Sequence, residues 1–142
     1  MSEKLELLYE KNIKTNCPKI AREEAIREVG NMLVETGYVK PDYVEAMLER
    51  EKTVSTFMGF GLALPHGVEA AKKEIIASGI AVEIFPEGID WGGEEVKMVV
   101  GIAGVGEEHL NILSAIAEKV LDEGTLAKLI NGTSHEVYEL LK

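Results

Sequence analysis

The chain has 142 residues, 46% hydrophobic and 28% charged, the balance of one globular domain with enough apolar material for a core. Its 15 basic and 25 acidic residues give a formal charge of −10, which phosphate backbones and anionic lipid surfaces repel. Nucleic acid and membranes are thereby excluded as main partners, and a basic protein surface stays open.

Cys17 is the only cysteine, so an internal disulfide and a multi-cysteine metal site are ruled out. Beside Pro18 it reads as a small, half-buried residue. Met1-Ser2-Glu3-Lys4 lacks the basic and apolar regions of a signal peptide. No apolar run approaches the ~20 residues that span a bilayer. The expectation is a soluble, cytoplasmic, single domain over residues 1–142.

Helical periodicity first appears from about Ala21 to Thr36. Ala25, Ile26, Val29, Met32 and Leu33 share one face, Glu23, Glu24, Arg27 and Glu28 the other, and Gly37 is the stop. A second helix is predicted from Pro41 to about Glu51, with Tyr43, Val44, Met47 and Leu48 inward and Arg50 and Lys52 near its negative end. Leu62-Ala63-Leu64, between glycines and Pro65, suits a brief strand. Ile80 to Phe85 reads as a strand that ends at the turn signal Pro86-Glu87-Gly88. Val96 to Ala103 is apolar except for Lys97, as expected of a strand covered on both faces.

The last third is helical. Leu110, Leu113, Ile116, Ala117, Val120 and Leu121 form a stripe ending near Gly124, and Leu126, Leu129 and Ile130 continue in a helix that stops at Asn131-Gly132. Thr133 and Glu136 form a capping box that opens a final helix with Val137, Leu140 and Leu141 inward. The predicted fold class is α/β, a mixed sheet with helices on both faces.

Gly59-Phe60-Gly61-Leu62-Ala63-Leu64-Pro65-His66-Gly67 is the segment richest in chemistry. A histidine follows directly on a strand and a proline, with glycines that let a ligand approach the backbone. An imidazole there is oriented and titrates near neutrality, as a nucleophile that accepts and returns a group requires. A turn histidine with no chemistry fits this segment equally well. His109 opens the helix after the long buried strand, where free amides and the helix dipole suit an anion, though a surface histidine in a first turn is commoner. Arg50, between Glu49 and Glu51, reads by default as a solvated ion pair, and functionally as a cation for a phosphoryl oxygen.

There is no Walker loop, no GxGxxG turn and no GxSxG elbow, so no cofactor is expected. His66 and His109 with Glu107 or Glu108 could bind zinc, but their spacing matches no metal pattern. His135, inside the capping box, carries no assigned chemistry.

Gly59 through Gly67 resembles the Gly-x-Gly-apolar-Ala-apolar-Pro-His-Gly signature of the enzyme IIA domains of the bacterial sugar phosphotransferase system, mannitol–fructose type. Leu48-Glu49-Arg50-Glu51, Ser55-Thr56 and Gly106-Glu107-Glu108-His109-Leu110 carry the same resemblance, which spans nearly the whole chain. Pro86 to Gly92 and Val99 to His109 are most similar to the mannitol-specific members. The resemblance implies a phosphocarrier with a phosphohistidine intermediate. His66 would take a phosphoryl group from the carrier protein HPr and pass it to a cysteine of enzyme IIB, which serves the membrane-embedded IIC. His109 would be the second active-site histidine and Arg50 the stabilising cation. Phosphoryl transfer is mainly positioning and charge stabilisation, so this set needs no metal.

Phe60 stands where many relatives have a polar residue, and Phe57, Met58, Phe60 and Leu62 are candidates for an apolar rim around His66; a core role for Phe57 and Leu62 is the competing reading. The alternatives are a regulatory nitrogen-type enzyme IIA, a fused regulator, and a metal- or histidine-dependent hydrolase. The mannitol-like segment after Phe85 argues against the nitrogen type, and the lack of an attached DNA-binding or activator segment against the fused regulator. Nothing requires more than a monomer.

Overall fold

A computed structural model describes residues 6–67, 69–121 and 123–141. Five strands form one mixed sheet in the order β1-β4-β5-β3-β2: β1 (Ile13–Lys14), β2 (Phe57–Gly59), β3 (Leu62–Ala63), β4 (Gly79–Trp91) and β5 (Glu94–Ala103). β4 and β5 are an antiparallel pair joined through Gly92 and Gly93, whose φ values of +64° and +98° supply the left-handed turn such a hairpin needs. β3 runs parallel to β5, so both point their carboxyl ends the same way.

Helices α1 (Arg22–Glu35) and α2 (Asp42–Thr53) cover one face. The apolar stripe read from the sequence is the buried one: Ala25, Ile26, Val29, Met32 and Leu33 in α1, and Tyr43, Val44, Met47 and Leu48 in α2. α1 ends as the glycine predicted. Gly37 sits at φ +89°, Tyr38 N–H donates to Leu33 O at 2.9 Å and Gly37 N–H to Val34 O at 3.2 Å, which satisfies the last carbonyls. The face of the sheet beneath α1 is small-sided, with Gly79, Ala81, Gly101 and Ala103. A Cβ on Gly101 would lie 2.8 Å from Val29 Cγ2, so glycine there sets how closely α1 approaches.

Helices α3 (Glu108–Val120), α4 (Glu123–Ile130) and α5 (Ser134–Leu141) cover the opposite face. The capping box is present: Thr133 N–H donates to Glu136 Oε1 at 2.9 Å and Glu136 N–H to Thr133 Oγ1 at 3.2 Å. Among the described residues, no helix is long and apolar enough to cross a membrane.

Four expectations need correction. β4 does not end at Pro86-Glu87-Gly88 but continues extended to Trp91. The turn residues instead produce a register shift between Ile84 and Ile89, with Gly88 at φ +80°. β1 pairs with β4 only at Val82 and Glu83, so the missing Pro86 N–H breaks no bond to that neighbour. Gly124 lies inside α4 and does not end α3, which stops at Val120. Leu110 and Leu140, counted as inward, are 55% and 37% exposed.

Candidate functional site

The site lies where the carboxyl ends of β3 and β5 meet the last turn of α2 and the first turn of α3, the end of an α/β sheet at which ligands bind. A cavity of about 440 Å³ is lined there by Arg50, Ser55, Thr56, His66 and His109, with Met58, Leu110 and Leu113 as apolar wall. Thus the three site residues singled out from the sequence, His66, His109 and Arg50, border one cavity although 59 positions separate the first from the last.

His66 follows β3 after Pro65. Its backbone continues the parallel pairing with β5, bridging to Ile102, and Ile102 N–H donates to Pro65 O at 2.9 Å. Its Nδ1 lies 2.9 Å from Leu64 O, a contact that needs a proton on Nδ1 and leaves Nε2 with the free lone pair. Burial holds the imidazole below its ordinary pKa. The charges of Arg50 and His109 push the same way, against the hydrogen bond to Leu64 and the carboxylate of Glu51. The ring is therefore neutral at pH 7, the state in which a histidine is a nucleophile.

His109 faces it with ring centroids 6.3 Å apart and planes tilted by 36°. The turn before α3 is held by Ser78, whose hydroxyl accepts from Val105 N–H at 2.9 Å and donates to Glu108 Oε2 at 2.8 Å. Gly104 has no room for a side chain, since a Cβ there would overlap the backbone of His109. His109 Nδ1 lies 3.2 Å from Gly106 O, within its own turn.

Arg50 does not adopt the ion pair that is the default reading of its flanks: among the described residues, neither Glu49 nor Glu51 pairs with it. Its guanidinium donates to Val54 O at 2.7 Å, one turn further on. Glu51 points into the protein instead. It is 6% exposed, with Oε2 accepting from Thr56 N–H at 2.8 Å and Trp91 Nε1–H at 2.9 Å, and Oε1 accepting from the Thr56 hydroxyl at 2.5 Å. Three donors satisfy one buried carboxylate and fix the corner that carries Ser55 and Thr56 into the cavity wall. Sequence reading passed over this anchor, because Trp91 is 40 residues away and no local pattern announces the bond.

The apolar rim is only partly where it was expected. Met58 lines the cavity, but Leu62 is fully buried and Phe57 packs against the core. Phe60, 70% exposed and at φ +54°, lines a separate groove with Gly61, Leu126, Ala127 and Ile130. Leu110 and Leu113 take the remaining wall positions. Among the described residues, no three His, Cys, Asp or Glu side chains gather in a group that could hold a metal ion.

Residues 6–142 match the family model for the phosphoenolpyruvate-dependent sugar phosphotransferase system, EIIA 2. The mannitol-specific phosphotransferase enzyme IIA component of Halalkalibacterium halodurans is 46% identical over 125 residues, 88% of this chain and 86% of the relative. The crystal structure of IIA mannitol from Escherichia coli superposes with a TM-score of 0.88 at 38% identity, covering 95% of this chain and 99% of that one. The complex of enzyme IIAMTL and phosphorylated enzyme IIBMTL from the same organism gives 0.89 at 36% identity, over 94% and 96% of the two chains. The family match over residues 6–142, this identity and the close superposition across nearly the full length have one explanation: the chain belongs to the EIIA 2 family of the phosphoenolpyruvate-dependent sugar phosphotransferase system.

Proposed function

We infer that the domain, residues 1–142, is a cytoplasmic phosphocarrier of the mannitol branch of this system. Nε2 of His66 takes the phosphoryl group from phosphohistidine on HPr and gives it to a cysteine of enzyme IIB, which serves the membrane-embedded IIC. The observation that carries this reading is the pairing of a neutral imidazole, its Nδ1 occupied by Leu64 O, with a second imidazole and a guanidinium around one cavity.

The steps follow from that geometry. As the bond from Nε2 to phosphorus forms, the bond from phosphorus to the donor imidazole breaks, and the donor leaves with the electron pair. The proton stays on Nδ1, hydrogen-bonded to Leu64 O, and that carbonyl stabilises the positive charge that the His66 ring acquires. His109 and Arg50 supply hydrogen bonds and charge to the equatorial phosphoryl oxygens, which carry the negative charge of the transition state. Release of the Val54 carbonyl frees the Arg50 guanidinium for this bidentate task. The second transfer to a thiolate repeats the step in reverse, with His66 as the leaving group.

The test is incubation with phosphoenolpyruvate, enzyme I and HPr, read by intact mass under alkaline conditions. The wild type gains one acid-labile phosphoryl group, His66→Ala gains none, and His109→Ala is phosphorylated about 100-fold more slowly. No gain by the wild type with active enzyme I and HPr overturns the reading.

A further inference from the structure

Tyr43 belongs to the buried stripe of α2, where a tyrosine is ordinarily core packing. Its hydroxyl does more than fill space. It is 3% exposed, accepts the Gly67 N–H at 2.8 Å and donates to Ile102 O at 2.8 Å. The two backbone groups belong to the parallel pairing of His66 with Ile102. One rung of that pairing is direct, from Ile102 N–H to Pro65 O; the other, from Gly67 N–H to Ile102 O, carries the tyrosine hydroxyl as a relay. The ring completes the clamp from the side. A Cβ on Gly67 would lie 2.6 Å from Tyr43 Cε1, so the glycine after His66 is the residue that lets the ring close on the loop.

We propose that Tyr43 is a positioning residue for His66, its hydroxyl setting the width of the last rung between β3 and β5 and thereby the placement of the imidazole. The inference rests on the phosphocarrier reading for its kinetic consequence. Bonded to both groups, the hydroxyl ties the loop and β5 to α2 at one point. Burial pushes the phenol pKa to about 12, so the hydroxyl keeps the proton it donates to Ile102 throughout the physiological range. Transfer between two carriers needs in-line placement of Nε2, and displacement of a reacting group by about 1 Å lowers rates by about 100-fold.

Tyr43→Phe removes the relay and keeps the ring. The expected result is phosphoryl uptake from phospho-HPr slowed about 10- to 100-fold in kcat, with KM within about twofold of wild type. The His66 ring also exposes further, so its titration midpoint, followed by proton–nitrogen NMR, moves up from the wild-type value. A purely structural tyrosine would lower the folded fraction and leave both readouts, taken per folded molecule, unchanged; that result overturns the proposal. An independent measurement uses the wild type alone: the Gly67 amide should exchange with solvent as slowly as the amides of β5, and exchange at an open-loop rate overturns it. If the wild type takes up no phosphoryl group at all, the carrier reading fails, while the titration and the exchange experiment still decide the clamp.

Discussion

The two faces of the sheet are built from different materials. Under α3, α4 and α5 the buried side chains among the described residues are aliphatic, Leu62, Leu64, Ile80, Val82, Ile84, Val100, Ile102, Ile116 and their neighbours, together with Met98. Under α1 and α2 the core holds Tyr38, Tyr43, Phe85 and Trp91, and the buried polar residues Glu51, Thr56 and Glu83 lie on this side. Apolar contacts are non-directional and fix volume more than angle; hydrogen bonds between buried groups fix both. The backbone bonds that hold the His66 loop and the Ser55-Thr56 corner come from the directional face, from Tyr43 and Glu51 on α2. The aliphatic face supplies His109, Leu110 and Leu113 at the cavity, anchored mainly by packing and by the Ser78 contact. One face frames the site and the other closes it.

Glu51 offers the strongest way to break this comparison. Glu51→Ala strands the Thr56 N–H, the Thr56 hydroxyl and the Trp91 Nε1–H inside the protein. Each loses a charge-assisted bond, so the loss of stability should reach about 3–5 kcal/mol in urea unfolding. Phosphoryl uptake by the remaining folded protein should fall as well, because the corner behind Arg50 is released. A loss below 1 kcal/mol, or an unaltered rate, would mean that the polar network is incidental to the frame.

How much of this was legible in the sequence follows the same division. The stripes of α1 and α2, the glycine stop at Gly37, the doubly covered strand and the Thr133–Glu136 box are local signals, and each stands where the pattern put it. The residues around His66 were legible as a motif, and the fold brings His109 and Arg50 to it. What escaped was non-local. β1 and β2 have two and three residues, too short for any periodicity. Tyr43 carries an ordinary core signal in α2, and only the sheet pairing 59 residues later gives its hydroxyl a purpose. Leu110 fits the helical stripe by spacing, yet the cavity leaves that turn uncovered. Pro86 and Gly88 signal a turn, and because the β1 side bonds β4 no further than Ile84 they become an irregularity within β4.

Glu83 sharpens the comparison through pH. It is fully buried in β4 beside the Glu28 side chain of α1, with Lys14 and Cys17 close by. Burial, then the neighbouring Glu28, pushes its pKa far above the carboxylate range, and Lys14 opposes. The sign follows from proton counting. In the folded state the carboxyl stays protonated at pH 7, whereas in the unfolded chain it ionises. Folding therefore takes up a proton, and this contribution to stability falls as pH rises from the ordinary carboxylate pKa toward the raised one. The slope is at most about 1.4 kcal/mol per pH unit. Thermal unfolding of Glu83→Gln between pH 5 and 8 should lack this slope, and the variant should overtake the wild type as pH rises. Parallel profiles would show that Glu83 is ionised in the fold and that the directional face holds a charge there.

The smallest effect belongs to the aliphatic face. Ile116 in α3 is 3% exposed and packs into that core three residues beyond Leu113 of the cavity wall. Ile116→Val removes one methylene, so the expected loss is about 1 kcal/mol of stability. Phosphoryl uptake should stay at the wild-type rate, since among the described residues no hydrogen bond of the His66 loop passes through α3. Stopped-flow transfer from phospho-HPr beside urea unfolding of the same sample makes the distinction. A slowed rate at that modest cost would place the aliphatic layer within the frame: a shift of α3 would then be reaching His66 through His109, and the two faces would share a task that the hydrogen bonds assign to one.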